Sequence, residues 1–135
     1  MSEATHFLNV DLELVTRGEI APLLAFWSNS AVVLRNSDDD GRRTVWLELD
    51  SQPREAEHAI LGFLDLVGKL PDEVRDLWNG CDDRCFNVGI QAGVGPHSST
   101  YTISPRTLGR IAAVMARVAV TVYAPRPAGE RPAPA

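Results

Sequence analysis

Residues 8–14, LNVDLEL, alternate strictly between apolar and polar side chains. Leu8, Val10, Leu12 and Leu14 fall on one side, and Asn9, Asp11 and Glu13 on the other. Successive strand residues point to opposite faces, so this period of two predicts a strand with one buried and one wet face. It argues against a sheet covered on both sides, whose strands read as unbroken apolar runs. The pattern recurs in TVWLELD, residues 44–50, where Val45, Leu47 and Leu49 alternate with Trp46, Glu48 and Asp50. It recurs again in CFNVGIQA, residues 85–92, with Phe86, Val88 and Ile90 against Asn87, Gly89 and Gln91. Strands of this kind need one layer of helices.

Helical stripes supply that layer. Ile20, Leu23, Leu24 and Trp27 are spaced i, i+3, i+4, i+7, and Thr16 and Glu19 before them have capping-box spacing. A long helix is expected over 53–68, with Ala56, Ile60, Phe63, Leu64 and Val67 inward, and a short one from Pro71 through Trp78. Ser104-Pro105 is an N-cap followed by proline at the first helical position, with Leu108, Ile111, Ala112 and Met115 as the expected buried stripe. Further strands are expected at 31–35, 99–103 and 118–123. The reading is α+β: one mostly antiparallel sheet with helices on one face, in the order β-α-β-β-α-α-β-β-α-β with ferredoxin-like halves. Residues 1–124 form one such domain, and the Pro/Ala-rich stretch 125–135 reads as a flexible tail.

Apolar residues make up 44% of the chain and charged residues 23%, enough for a core without staples. A net charge of −5 without a basic stripe argues against nucleic acid, whose affinity comes mainly from phosphate neutralisation. No apolar run approaches the roughly 20 residues of a membrane span, so no membrane partner is expected. Met1-Ser-Glu-Ala-Thr-His has no signal-peptide character, and the expected location is cytoplasmic.

Few segments look like chemistry. Asn36, Asp38, Asp40 and Gly41 in NSDDDG match the opening of a calcium loop, but position 12 is Leu47 where a bidentate glutamate is needed. Asp-Gly between two strand-like runs reads as a hairpin tip. Cys81 and Cys85, with Asp83 and His97 near them, are the only candidates for a metal or small-molecule site over 81–97. A second cysteine pair is missing, and the two cysteines read as structural. His6, His58 and His97 are scattered, and no catalytic residue or cofactor is expected. The alternation instead sets Asp11, Glu13, Trp46, Glu48, Asp50 and Tyr123 on the wet sheet face, two aromatics among acids. Aromatics on a polar surface are typical binding anchors.

WLELD, LWNGCDDRCFNVGIQAG and YTISPRTLGRIAAVMARVAVTVYA together resemble a family of small bacterial α+β proteins of unknown function. Trp46, Leu47, Glu48 and Leu49 match its Trp-bearing strand, Ser104, Leu108 and Ile111 its capped helix, and Val122 and Tyr123 its last strand. The likeness covers residues 44–124; the family's early Leu-Gly-x-x-Pro turn is replaced here by FWSNSAVV. The resemblance implies a fold and no catalytic residues, and some similar small proteins act as immunity proteins beside toxin genes. The expected function is a non-enzymatic protein-interaction module, possessing a protein partner or pairing with itself as a homodimer.

Overall fold

In the computed structural model, which describes residues 4–95 and 97–126, the alternating strand β1 (His6–Thr16) lies at the centre of a five-stranded sheet. The order is β2-β3-β1-β4-β5, with β2 at Ala31–Asp39, β3 at Arg42–Leu49, β4 at Asp83–Gln91 and β5 at Arg117–Tyr123. β1 pairs antiparallel with both β3 and β4, and β2 antiparallel with β3, while β4 and β5 run parallel. The helices are α1 (Ala21–Phe26), α2 (Ala56–Gly68), α3 (Asp72–Asn79) and α4 (Pro105–Ala113). None of them is long and apolar enough to cross a membrane.

One cluster of buried side chains joins the two layers. Val10, Leu12 and Leu14 of β1, Val45 and Leu47 of β3, and Phe86, Val88 and Ile90 of β4 pack with Leu23, Ile60, Phe63, Val67, Trp78 and Ile111 from the helices. Trp27 and Trp78 meet edge to face, 6.1 Å between ring centroids, and their indole N–H groups donate to the carbonyls of Leu66 and Val114. Buried tryptophans need such partners for their polar end. Gly62 lets α2 approach β3 closely: a Cβ there would stand 2.7 Å from Leu49 Cδ1.

The α+β reading holds at this level, with corrections in detail. The order is β-α-β-β-α-α-β-α-β, because residues 99–103 form no strand. β4 already has β1 on one side and β5 on the other, so Thr100, Tyr101 and Thr102 cannot pair beside the strand they follow. They climb from the sheet to the helix layer, as a parallel crossover requires. At their end Ser104 N–H donates to Glu57 Oε1, at 2.6 Å, and Ser104 caps α4 by accepting from Thr107 N–H. This anchoring turns α4 so that Thr107 and Ile111 are buried, while Leu108, Ala112 and Met115 of the expected stripe are exposed. The capping box does not form: Thr16 Oγ1 accepts from Gly18 N–H, and α1 begins later, with Pro22 in its first turn. Leu8 is exposed because a bulge between Phe7 and Asn9 shifts the phase of β1. α2 starts at Ala56, three residues later than expected. NSDDDG is a hairpin tip in which Asp40 and Gly41 both take positive φ, 55° and 82°, the geometry of a type I′ turn. Of the tail expected at 125–135, residues 127–135 lie outside the described residues.

Arg84 closes the structure at one end of the sheet. Its Nε donates to Met115 O at 2.9 Å, and its Nη1 to Trp78 O at 2.9 Å and Cys81 O at 2.7 Å. One guanidinium thereby holds the C-terminal ends of α3 and α4 against the start of β4. Replacing Arg84 by Met leaves those carbonyls without their charged donor. The expected loss is about 2–3 kcal/mol of unfolding free energy, read from urea denaturation followed by tryptophan fluorescence.

Candidate functional site: the open sheet face

The helices cover one face of the sheet, and the opposite face carries the polar half of every alternating strand. The ladder register brings these side chains together. Asp11 stands opposite Glu48 of β3 and Asn87 of β4, and Glu13 opposite Trp46 and Cys85. Asp11, Glu13 and Glu48 are each half-buried, shielded by one another and by their strand neighbours. Like charges directly across a ladder repel.

Two amides relieve part of that repulsion. Asn9 Nδ2 donates to both Asp11 Oδ1 and Glu48 Oε2, each at 3.1 Å, and so bridges the two carboxylates. Asn87 Nδ2 donates to Glu13 Oε2 at 3.0 Å, and Thr121 Oγ1 donates to Asn87 Oδ1 at 2.8 Å. Gly89 makes room for the first bridge, since a Cβ there would lie 2.6 Å from Asn9 Oδ1. A glycine inside a strand marks such a close approach. The bridging leaves Asp11 strained electrostatically. Desolvation first, then the charges of Glu48 and Glu13, push its carboxyl from the ordinary 3.8 up to about 6.

Trp46 lies half-buried on the same face, and the Arg35 guanidinium sits 5.0 Å from its ring centroid. Arg35 reaches it because a bulge between Val33 and Arg35 brings that residue opposite Trp46. Asp11, Glu13, Trp46 and Glu48 therefore form one continuous patch. Asp50 does not join it: it lies just past the end of β3, exposed, with its N–H donating to Ser30 O. Tyr123 ends β5 at the far corner, opposite Gln91. Gln91 is buried, its Nε2 donating to the carbonyls of Ala92 and Ala124.

The 81–97 segment is dispersed. Cys81 belongs to the helix-side core and donates its thiol to Leu77 O, at 3.4 Å. Cys85 is buried on the other side of the sheet, level with Glu13 and Arg117. Burial pushes both thiols up. Asp83 takes a two-pronged bond from Arg117, at 2.9 and 2.7 Å, which holds its carboxyl below the ordinary range. His97 lies exposed on the loop after β4. No group of three or more His, Cys, Asp or Glu among the described residues is arranged to hold a metal ion.

Compared with known family models, curated proteins and solved structures, the chain finds no match.

Asp11 makes the free protein less stable near neutral pH. Its folded-state value lies above its ordinary one, so the folded chain holds a proton that the unfolded chain has released. Stability falls as pH rises from 3.8 to about 6 and stays at the lower level above that window. Asp11→Asn removes the charge and keeps the shape. Discounted for screening of a half-exposed group, it should gain about 1 kcal/mol at neutral pH. Urea titrations at several pH values check this, and the gain should vanish below the lower end of the window.

Proposed function

We propose that this protein is a non-enzymatic interaction module of the bacterial cytoplasm, and that its open sheet face takes a protein partner carrying basic side chains. The observation behind this reading is the patch itself: three half-buried carboxylates beside Trp46, on a face that no helix among the described residues covers. Asp11 and Glu48 are opposite one another and weaken the free fold, whereas a guanidinium or ammonium laid between them would turn that repulsion into attraction. Trp46 already holds Arg35 over its ring, and a partner arginine could stack there in its place. A second copy suits this face poorly, since it would set carboxylates against carboxylates.

Kinship with the small bacterial α+β family, and with its immunity-type relatives that bind another protein, is part of the same proposal. So are the ferredoxin-like halves: β1 and β2 run in the same direction with β3 between them, joined through α1.

An arginine-rich peptide serves as the probe, titrated calorimetrically at low and moderate salt. Wild-type protein should bind it, and Glu48→Lys or Trp46→Ala should weaken binding at least about ten-fold, or 1.4 kcal/mol, with the circular dichroism unchanged. Glu73→Lys on α3 changes net charge equally but lies off the face, and should leave binding nearly intact. Equal loss in Glu73→Lys, or none in Glu48→Lys, would reject the open face as the site.

A further inference from the structure

The two outer strands of the sheet end it differently. β2 exposes Val32, Val33 and Leu34, but a bulge interrupts its ladder there and Arg35, Asp38 and Asp39 follow. Bulges and charges of this kind block pairing with another chain. β5 has neither device. It pairs with β4 over seven residues without a register shift, and carries no charge from Val118 to Tyr123.

The helix layer also stops short of β5. Phe86, Val88 and Ile90 of β4 are buried, yet their neighbours Val118, Val120 and Val122 are 38, 62 and 61% exposed. On the same side of the sheet, Leu108 is 49% exposed and Met115 73%. The backbone of β5 is open at the same residues. Ala92 N–H donates to Tyr123 O at 2.9 Å, so Tyr123 aims its polar groups at β4. Alternate residues aim their N–H and C=O to the same side, and thus Arg117, Ala119 and Thr121 do likewise. Val118, Val120 and Val122 direct theirs outward, where no strand lies among the described residues.

We propose that this edge pairs antiparallel with the β5 edge of a second copy, about a two-fold axis through Val120. Arg117-Val-Ala-Val-Thr-Val-Tyr123 is self-complementary in that register. Val120 meets its own copy, Val118 meets Val122, Ala119 meets Thr121, and Arg117 meets Tyr123. The three valines, whose backbone groups point outward, become the hydrogen-bonded pairs and exchange both bonds. β-Branched side chains then face one another on the helix side, and a guanidinium faces a phenol ring on the open side. A two-fold axis needs such an isologous patch, which an unrelated strand would not share.

The area fits a reversible dimer. At about one hydrogen bond per 100–200 Å², six ladder bonds correspond to roughly 600–1,200 Å². Stable interfaces bury about 1,200–2,000 Å². The valines, Leu108 and Met115 provide apolar surface on one side of the joined sheet toward that area. This contact lies on the sheet edge and is separate from the open-face site, so Glu48→Lys should leave it intact.

Sedimentation velocity of the full chain over a range of concentrations tests the pairing. Wild type should shift toward the dimer mass as concentration rises. Val118→Lys with Val122→Lys sets lysine against lysine across the axis and should be monomeric throughout. Val118→Glu with Val122→Lys sets glutamate against lysine only in the antiparallel register, and should recover the dimer. Amide exchange on the wild type gives a check that needs no variant: the Val118, Val120 and Val122 N–H groups should slow with concentration. A wild-type monomer at all concentrations, a dimer that survives the double-lysine change, or concentration-independent exchange at these valines would overturn the proposal.

Discussion

β1 is hydrogen-bonded along both edges, and this pairing sorts the rest of the sheet. Its register with β3 and β4 puts Leu12 beside Leu47 and Phe86 on one face, and Asp11 beside Glu48 and Asn87 on the other. A slip of one residue would drive Asp11 and Glu13 into the core and lift Leu12 and Leu14 into water. Burying unpaired carboxylates costs several kcal/mol or more each, so the alternation itself locks the register. Everything else is fitted to that central strand, from α2 packed close at Gly62 to the tryptophan pair that ties the helices together.

The same alternation obliges the molecule to keep a polar face, but it does not oblige that face to be acidic. Serine or threonine at position 11 would satisfy the pattern without repulsion from Glu48. Asn9, Asn87 and the space left at Gly89 hold the carboxylates in a hydrogen-bonded array and do not neutralise them. An arrangement that weakens the isolated fold and presents fixed negative charge is what a cationic partner would use. The β5 edge is a different kind of surface, apolar, with the outward backbone groups of Val118, Val120 and Val122 meeting no strand among the described residues. On the proposed readings, a copy of the chain and another protein would occupy separate surfaces.

Much of this was legible in the chain. Period-two runs marked β1, β3 and β4 and told their wet side from their dry side. Ser104-Pro105 and Asp40-Gly41 marked a helix start and a hairpin by local stereochemistry alone. The failures share a physical origin. Thr100-Tyr-Thr-Ile103 has strand propensity, but β4, the strand it follows, is paired on both edges, and the parallel placement of β5 is not written locally. The stripe through Leu108, Ala112 and Met115 had helical spacing, yet the Glu57–Ser104 bond and the packing of Ile111 decided which side of α4 is buried. The acidic patch was visible as residue types in phase. Its bridges were not, because Asn9 reaches Glu48 across a ladder from 39 positions away. Gly89 within the alternating run is the signal in the sequence of the close approach to Asn9.

The register of β1 holds Asp11 half-buried in a field of like charge from Glu48 and Glu13. A carbon-detected NMR titration of the Asp11 carboxyl measures this directly in the unmodified protein. The midpoint should lie at about 6 and move toward the ordinary carboxylate range in Glu48→Gln. A midpoint near 3.8 in the wild type would contradict it, and would mean that the open face is an ordinary solvated surface.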